Sequence, residues 1–476
     1  MIKLAPFQLT LAFLLTTCCF AQRQQPANGA KESNDPNVMA ELAYSQRRFA
    51  DVLKITEKQI KAKPGDHVAH YLSASALVEI GRKTSNGGGI RQGIEDARKA
   101  IELSKGEDSR YFLPYLYGMT SLTEIEGDPQ HTQTALATAD RVLAKAKTPV
   151  DRAHLLYHRG RIHGLLKKPK KSQADFQEAI RQNGELLAAW MGLANVFIDM
   201  GNLPRARETY DSATRKFPRD PVVFNNRGLF LQEQDEFELA VADFTRALQL
   251  NPRYFAAHTN RGYTLLSIGD PAAAELDFSA SLGLYPQQPM VYRLRAGCRL
   301  LQKQPVTAIE DLTAAFKLRP DTATHVDLGF AQVMNRDFKA GADLLAKAQR
   351  SDPALQHIRP WRFAALIGQK NKAAGTKEFA ADIARTKANS KDCVWSDWLC
   401  GLLAGAIDRQ KLLQIANSDP QKKVGRLTEA NFFLGFRAEM SGDVATAKQY
   451  YQQSLTGKRV DLAAYRGALI GLDRIK

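Results

Sequence analysis

Four prolines, Pro218, Pro252, Pro286 and Pro320, follow one another at a single unvarying interval. A spacing kept that strictly marks a repeat architecture, in which each unit packs only on its neighbours and the chain can run far past the size of one globular core. Counted back from each proline, Ala213, Ala247, Ser281 and Ala315 share one slot. Tyr210, Phe244, Phe278 and Leu312 share a second, and Ala206, Ala240, Ala274 and Ala308 a third. Earlier in each unit, Trp190, Leu193, Ala194 and Phe197 are echoed by Phe224, Gly228 and Leu231 and by His258, Gly262 and Leu265.

Each slot has a physical reason. Trp190, Leu193 and Phe197 fall at i, i+3 and i+7, one apolar stripe on a first helix. Small residues at Ala194, Gly228 and Gly262 let a second helix approach closely, against Ala206 and Ala213, with Tyr210 filling the space between. Pro218 stops that second helix and pushes the preceding residue out of helical conformation. Gly201 suits the tight turn between the two helices.

Trp190-x2-Leu193-Ala194-x2-Phe197, with the slots above, resembles the tetratricopeptide repeat (TPR) in four units, 187–220, 221–254, 255–288 and 289–322. The proline interval agrees with the period of that repeat. The resemblance implies an all-α fold, a right-handed superhelical solenoid of helix-turn-helix repeats. Weaker copies extend the array. Phe49, Val52, Thr56, Ile60 and Pro64 outline a second helix, and Ala97, Ala100 and Ile101 another after an expected loop, Thr84 to Gly89. Gly160, Phe176 and Ala179 mark a further unit, as do Leu328, Gly329, Ala348 and Pro353 downstream, after which the spacing blurs through 356–390. Trp395, Trp398 and Gly401, then Glu429 to Gly435, Gly442, Ala447 and Tyr451, resemble the C-terminal part of exported bacterial TPR adaptor proteins and lipoproteins. Residues 461–474 are expected to form a closing helix over the last apolar face. The expected blocks are 36–186 (divergent repeats), 187–355 (central repeats) and 356–476 (C-terminal helical block).

The N-terminus reads as an export signal over 1–21: Lys3, then the mainly apolar Leu4 to Thr17, then Ala21 before Gln22. The stretch is too short to span a bilayer. A rival reading makes Leu15-Thr16-Thr17-Cys18 a lipoprotein box with lipid on Cys18. Thr17 stands against it, because resemblance to bacterial lipoprotein signals implies Gly, Ala or Ser before the cysteine. Residues 22–35 carry almost nothing apolar and read as a flexible linker. The expected location is periplasmic or secreted, with a membrane-anchored lipoprotein as the alternative.

The net charge is +16, and removing residues 1–21 takes away only Lys3. Such a charge favours acidic proteins, anionic membrane surfaces or polyanions, and also keeps a long chain soluble. Lys and Arg are spread rather than clustered, which argues against nucleic acid. Cys298, Cys393 and Cys400 are too few for a disulfide framework and read as buried small apolar residues.

No catalytic constellation emerges. Gly87-Gly88-Gly89 lacks the Lys-Ser/Thr of a phosphate-binding loop. His154 and His158 share a helix face but His163 does not, a poor zinc site, and no hydrolase or redox motif occurs. Carboxylate pairs such as Asp235 and Glu236, or Glu238 and Asp243, read as solvated faces, and Trp395 and Trp398 as packing residues. The expected protein is not an enzyme and needs neither metal nor cofactor.

The resemblance implies that first helices line a concave groove, which by register presents Asn195, Asn225, Leu229, Gln232, Thr259, Tyr263 and Arg293. Such a surface, apolar with amides and one cation, suits an extended peptide or a helix. Slots that hold a carboxylate clamp in chaperone-binding relatives carry Met191, Asn195, Asn226, Ala256 and Asn260 here, without a cation, so no clamp is expected. Arg227, Arg261 and Arg295 recur at the repeat period; their stems are expected to pack while the heads reach water or a carboxylate. The function expected is an exported scaffold or adaptor for protein partners. The alternative is a charge-driven binder of an anionic cell-surface polymer or membrane surface.

Overall fold

The computed structural model describes residues 35–476. The expected signal segment 1–21, Cys18 and nearly all of the 22–35 linker lie outside the described residues. Within them the chain is all-α, with 26 α-helices and no strand. It divides into two compact units, 35–227 and 228–476 among the described residues. That boundary falls inside a helix, whereas the sequence reading places its block boundaries at 186/187 and 355/356.

The first unit runs through α1 (Pro36–Ser45), α2 (Phe49–Ala62), α3 (His67–Lys83), α4 (Gly87–Leu103), α5 (Phe112–Glu126), α6 (Pro129–Leu143), α7 (Pro149–Leu165), α8 (Pro169–Gln182), α9 (Leu187–Asp199), α10 (Leu203–Lys216) and the start of α11 (Pro221–Glu233). From α1 to α10 each helix packs on the next, and α3, α5, α7 and α9 also touch in succession. That is the solenoid pattern, with first helices side by side on one layer and second helices on the other.

The triplet Gly87-Gly88-Gly89 does not form the expected loop. It opens α4, because Asn86 accepts a hydrogen bond from the Gly89 backbone N–H at 3.2 Å and caps the helix. Gly81 meanwhile leaves room for Ile90, whose side chain would lie 2.7 Å from an added Cβ.

The second unit continues with α12 (Phe237–Leu250), α13 (Phe255–Ser267), α14 (Pro271–Leu284), α15 (Pro289–Leu301), α16 (Pro305–Leu318), α17 (Thr322–Met334) and α18 (Phe338–Ser351). Gly201 of the first unit and Asp235, Gly269 and Lys303 of the second occupy one slot of successive repeats and carry the positive φ that reverses the chain between paired helices. Asn202 and Asp270 cap the helices that follow such turns, and Pro sits in the first turn of α10, α14, α15 and α16, where its missing N–H costs nothing.

Beyond α18 the repeat spacing is lost to helices of uneven length: α19 (Arg359–Gly368), α20 (Lys372–Glu378), α21 (Ala380–Lys387), α22 (Trp395–Ala404), α23 (Arg409–Asn417), α24 (Lys423–Met440), α25 (Val444–Leu455) and α26 (Ala463–Arg474). Trp361 stacks on Phe432 at 4.7 Å and meets Phe433 edge-on at 5.6 Å, tying α19 to α24 through one aromatic core. Trp398 is buried in it. Trp395 is only half-buried and donates its indole N–H to Glu429 at 2.8 Å. The last helix does more than cap the array. It packs on α24 and α25 and also turns back onto α15 and α17.

Candidate ligand-binding groove

Asn195, Leu229, Tyr263 and Gly297 occupy the same slot of successive repeats, on α9, α11, α13 and α15. In the first unit, Asn195 is half-buried and accepts a hydrogen bond from the Tyr210 hydroxyl at 3.2 Å, which locks its amide to its own repeat. Asn225 departs from expectation. It is 1% exposed, with its amide donating to Asn226 at 3.4 Å, so it does not present an open groove surface.

In the second unit, Leu229 is half-buried. Gln232 accepts from the Thr264 hydroxyl at 2.7 Å, a rung between neighbouring first helices. Tyr263 packs against the cluster around Phe278 and Leu266, and burial pushes its phenol pKa up. Thr259 corrects the register reading. Its hydroxyl lies 2.8 Å from Ser281 Oγ on α14 and donates to the Phe255 carbonyl, which puts it in the seam between paired helices.

Arg293 is also spoken for, since its Nε and Nη2 each donate to Asp327 Oδ2 at 2.8 Å. Beside that pair lies Arg466 of α26. Its Nη1 would be 3.6 Å from a Cβ added at Gly297, so the slot filled by Tyr263 one repeat earlier is left open here for a guanidinium. Burial lowers the pKa of Arg466, and the carboxylates of Asp327 and Asp461 act in the opposite sense. Arg474 of the same helix donates to the Met334 carbonyl at 3.1 Å. The inner face of α15 and α17 is therefore covered by a helix of the chain itself.

The clamp slots Met191, Asn226, Ala256 and Asn260 are all buried. The recurring arginines end on carboxylates: Arg227 on Asp211 in the first unit, Arg261 on Asp277 and Arg295 on Asp311 in the second. His158 and His163 are buried, and no group of three or more His, Cys, Asp or Glu among the described residues is placed to hold a metal ion. Cys298 and Cys400 are buried free thiols, Cys393 a partly exposed one; burial pushes Cys298 up to about 12, which leaves it a packing residue. A cavity of about 300 Å³, missed in the sequence, is lined by Arg350, Arg359, Arg362, Glu378, Phe379 and Asp382. Arg362 pairs with Glu378 at 2.5 Å and Arg359 with Asp382 at 3.3 Å, so these charges close on one another. No described helix is long and apolar enough to cross a membrane.

Tetratricopeptide repeat family models match residues 166–225 and 226–289. The chain therefore carries tetratricopeptide repeats through its middle, at one constant period within an all-α fold. A Dictyostelium discoideum protein, "DnaJ homolog subfamily C member 7 homolog", is 22% identical over 222 residues, 44% of this chain and 39% of that protein. The chain thus spans well under half of that relative's length. Among solved structures, PilF of Pseudomonas aeruginosa shares 22% identity over 42% of this chain and 92% of that one, with a TM-score of 0.38. MamA of Desulfovibrio magneticus RS-1 shares 23% identity over 36% and 96%, with a TM-score of 0.34.

Proposed function

We propose that the protein is an exported scaffold that binds a peptide segment or helix of a partner protein on the inner faces of its first helices, and that it acts by binding rather than catalysis. TPR chains are protein-interaction scaffolds as a class; export and the adaptor role are the further steps. The observation that carries the ligand class is internal. The inner face of α15 and α17 already accommodates an α-helix, α26, through a small-residue gap at Gly297 and an acidic partner at Asp327. The equivalent faces upstream present half-buried Asn195 in one unit and Leu229 and Tyr263 in the other, a mixed surface suited to the helix-in-groove or extended-peptide mode. Export rests on Lys3, the apolar run to Thr17 and Ala21.

The test is capture from an envelope fraction with wild type and with Tyr263→Asp, followed by direct titration of the purified partner. The reading holds if one defined protein binds wild type and loses most of its affinity for the variant. The net charge of +16 supports a second reading, an anionic polymer or membrane surface as ligand. Material held equally by both forms and released by moderate salt selects that reading and overturns the groove.

A further inference from the structure

Where α18 meets the short helices α19 to α21, around the cavity of about 300 Å³, arginines outnumber carboxylates. Asp382 and Asp397 are buried and shared between Arg359 and Arg385, which makes a neutral quartet. Glu378 is met by Nη1 of Arg362 at 2.5 Å. Arg350, exposed in the last turn of α18, has no ion-pair partner among the described residues, so it leaves the cavity with one positive charge in excess. The Arg362 pair is also incomplete. Its Nε is enclosed without an acceptor among the described residues, so Glu378 does not fill the guanidinium fork as Asp277 fills that of Arg261. Burial raises the pKa of Glu378 and the charge of Arg362 only partly offsets it. The remaining wall is apolar, with buried Phe379 and Ala346.

We propose that this cavity binds a small monoanion, a carboxylate on a short apolar body, with the carboxylate held by Arg350 and Arg362 and the body against Phe379 and Ala346. The charge selects the ligand class. One carboxylate balances one excess guanidinium, whereas a phosphate dianion would overshoot it beside Glu378 and Asp382. The planar fork of arginine fits a carboxylate with two donors, and Gln349 adds an amide to the lining. The volume stands at the lower end of the roughly 300–1,000 Å³ typical of ligand sites, so the apolar body is short. A free organic acid and the last residue of a peptide with an apolar side chain share this chemistry. The cavity uses none of the groove residues and does not depend on the groove being occupied.

Equilibrium dialysis of the full chain against labelled phenylacetate, from micromolar to millimolar, tests this. Wild type should bind one equivalent saturably, and neutral phenylacetamide should not compete. Arg350→Gln, at an exposed position, should weaken binding by at least about tenfold. Glu378→Gln removes the carboxylate that competes for Arg362 and should tighten binding severalfold. Both variants should keep the wild-type circular dichroism spectrum. A short peptide ending in phenylalanine tells the two sources apart. Displacement of phenylacetate by the peptide acid and not by its C-terminal amide assigns a chain terminus, and displacement by neither assigns a free organic acid. Displacement by both would show that the carboxylate is not what is recognised. That result, or a wild type without saturable binding, or an Arg350→Gln affinity equal to wild type, overturns the proposal. A Glu378→Gln affinity no tighter than wild type removes Arg362 from the site.

Discussion

Arg261 and Asp277 close a repeat as a two-point pair, Nε to Oδ2 and Nη2 to Oδ1, both at 2.8 Å, while Nη1 of the same arginine donates to Thr245 on the preceding second helix at 3.0 Å. Arg295 repeats the arrangement with Asp311 at 2.9 and 2.6 Å and Ser279 at 3.0 Å. In the first unit, Arg159 joins Asp175 to Asp140 in the same way. A guanidinium's planar fork suits this task, because one residue can hold a carboxylate with two donors and still reach a third group. The arginines that recur along the sequence are thus staples between repeats.

Asp277 is 6% exposed, and Asp277→Ala would leave Arg261 and His258 facing an enclosed gap. Breaking a buried pair from one side costs about 3–5 kcal/mol. In a solenoid the loss stays near the lesion, so hydrogen exchange should accelerate in α13 and α14 and remain unchanged in α24 to α26. Equal acceleration in both places would contradict the staple. The acid limb has a definite sign. Burial raises the Asp277 pKa, but the hydrogen bonds and charge of His258 and Arg261 outweigh it and hold it below the ordinary carboxylate value. Its stabilisation is present above that ordinary value and lost as pH falls through the lowered one.

The packing slots were legible because each one demands a residue of particular size. A Cβ at Gly228 would come within 2.7 Å of Phe244, and one at Gly262 within 2.9 Å of Phe278. Asp243, buried rather than on the solvated face expected of it, recurs with the buried Asp277 and Asp311 once per repeat. The constant offset from Arg261 to Asp277 and from Arg295 to Asp311 is the signal by which those two pairings could be read. The groove was less legible. Register alone does not say whether Thr259 turns toward open space or toward Ser281 in the adjoining helix. The return of α26 joins Arg474 to Met334 across most of the second unit, and nothing local in either segment announces it.

Glycines at related slots should respond to alanine with opposite signs. Gly228→Ala drives a methyl into the Phe244 ring, an overpacking of about 1–3 kcal/mol. Gly297→Ala meets nothing closer than Arg466 at 3.6 Å, an ordinary contact, and should gain up to about 1 kcal/mol of helix propensity. Thermal melts of the two variants therefore bracket wild type. Gly297→Leu needs the volume held by Arg466 and should loosen α26; the same protection of α26 from proteolysis in that variant would show that the helix is not seated there.

Glu439 gathers the C-terminal block. It accepts from Arg474 at 2.8 Å through both oxygens and from the Tyr451 hydroxyl at 2.7 Å, and it also pairs with Arg336. Burial raises its pKa, but Arg474, Tyr451 and Arg336 more than compensate and lower it. Glu439→Gln keeps the shape and removes the charge that two arginines share, with an expected loss of about 3 kcal/mol. Limited proteolysis should then cut first in the 456–462 connection ahead of α26. An unchanged cleavage pattern would mean that the aromatic packing of Tyr451 and Phe432 holds the block without the charges.

His158 should give the first unit a pH dependence in a separate window. Its ring lies among Tyr157 and Tyr117, with centroids at 5.2 and 6.1 Å. Burial holds its pKa well below the ordinary value, and the charges of Arg161 and His154 push the same way. The folded chain therefore keeps His158 neutral where the unfolded chain takes up a proton. Stability is full above the ordinary imidazole value of about 6.5 and falls as pH drops below it, by up to about 1.4 kcal/mol per pH unit. His163, whose pKa burial also lowers, adds in the same direction. Melting curves of wild type and His158→Phe between neutral pH and about pH 5 separate the two contributions, the lower limit being chosen to stay above the carboxylate range. The variant should lose part of the acid slope and retain the part due to His163 and to His357 of the second unit, whose pKa burial lowers as well. An identical slope in both proteins would show that His158 takes up its proton without cost in the fold.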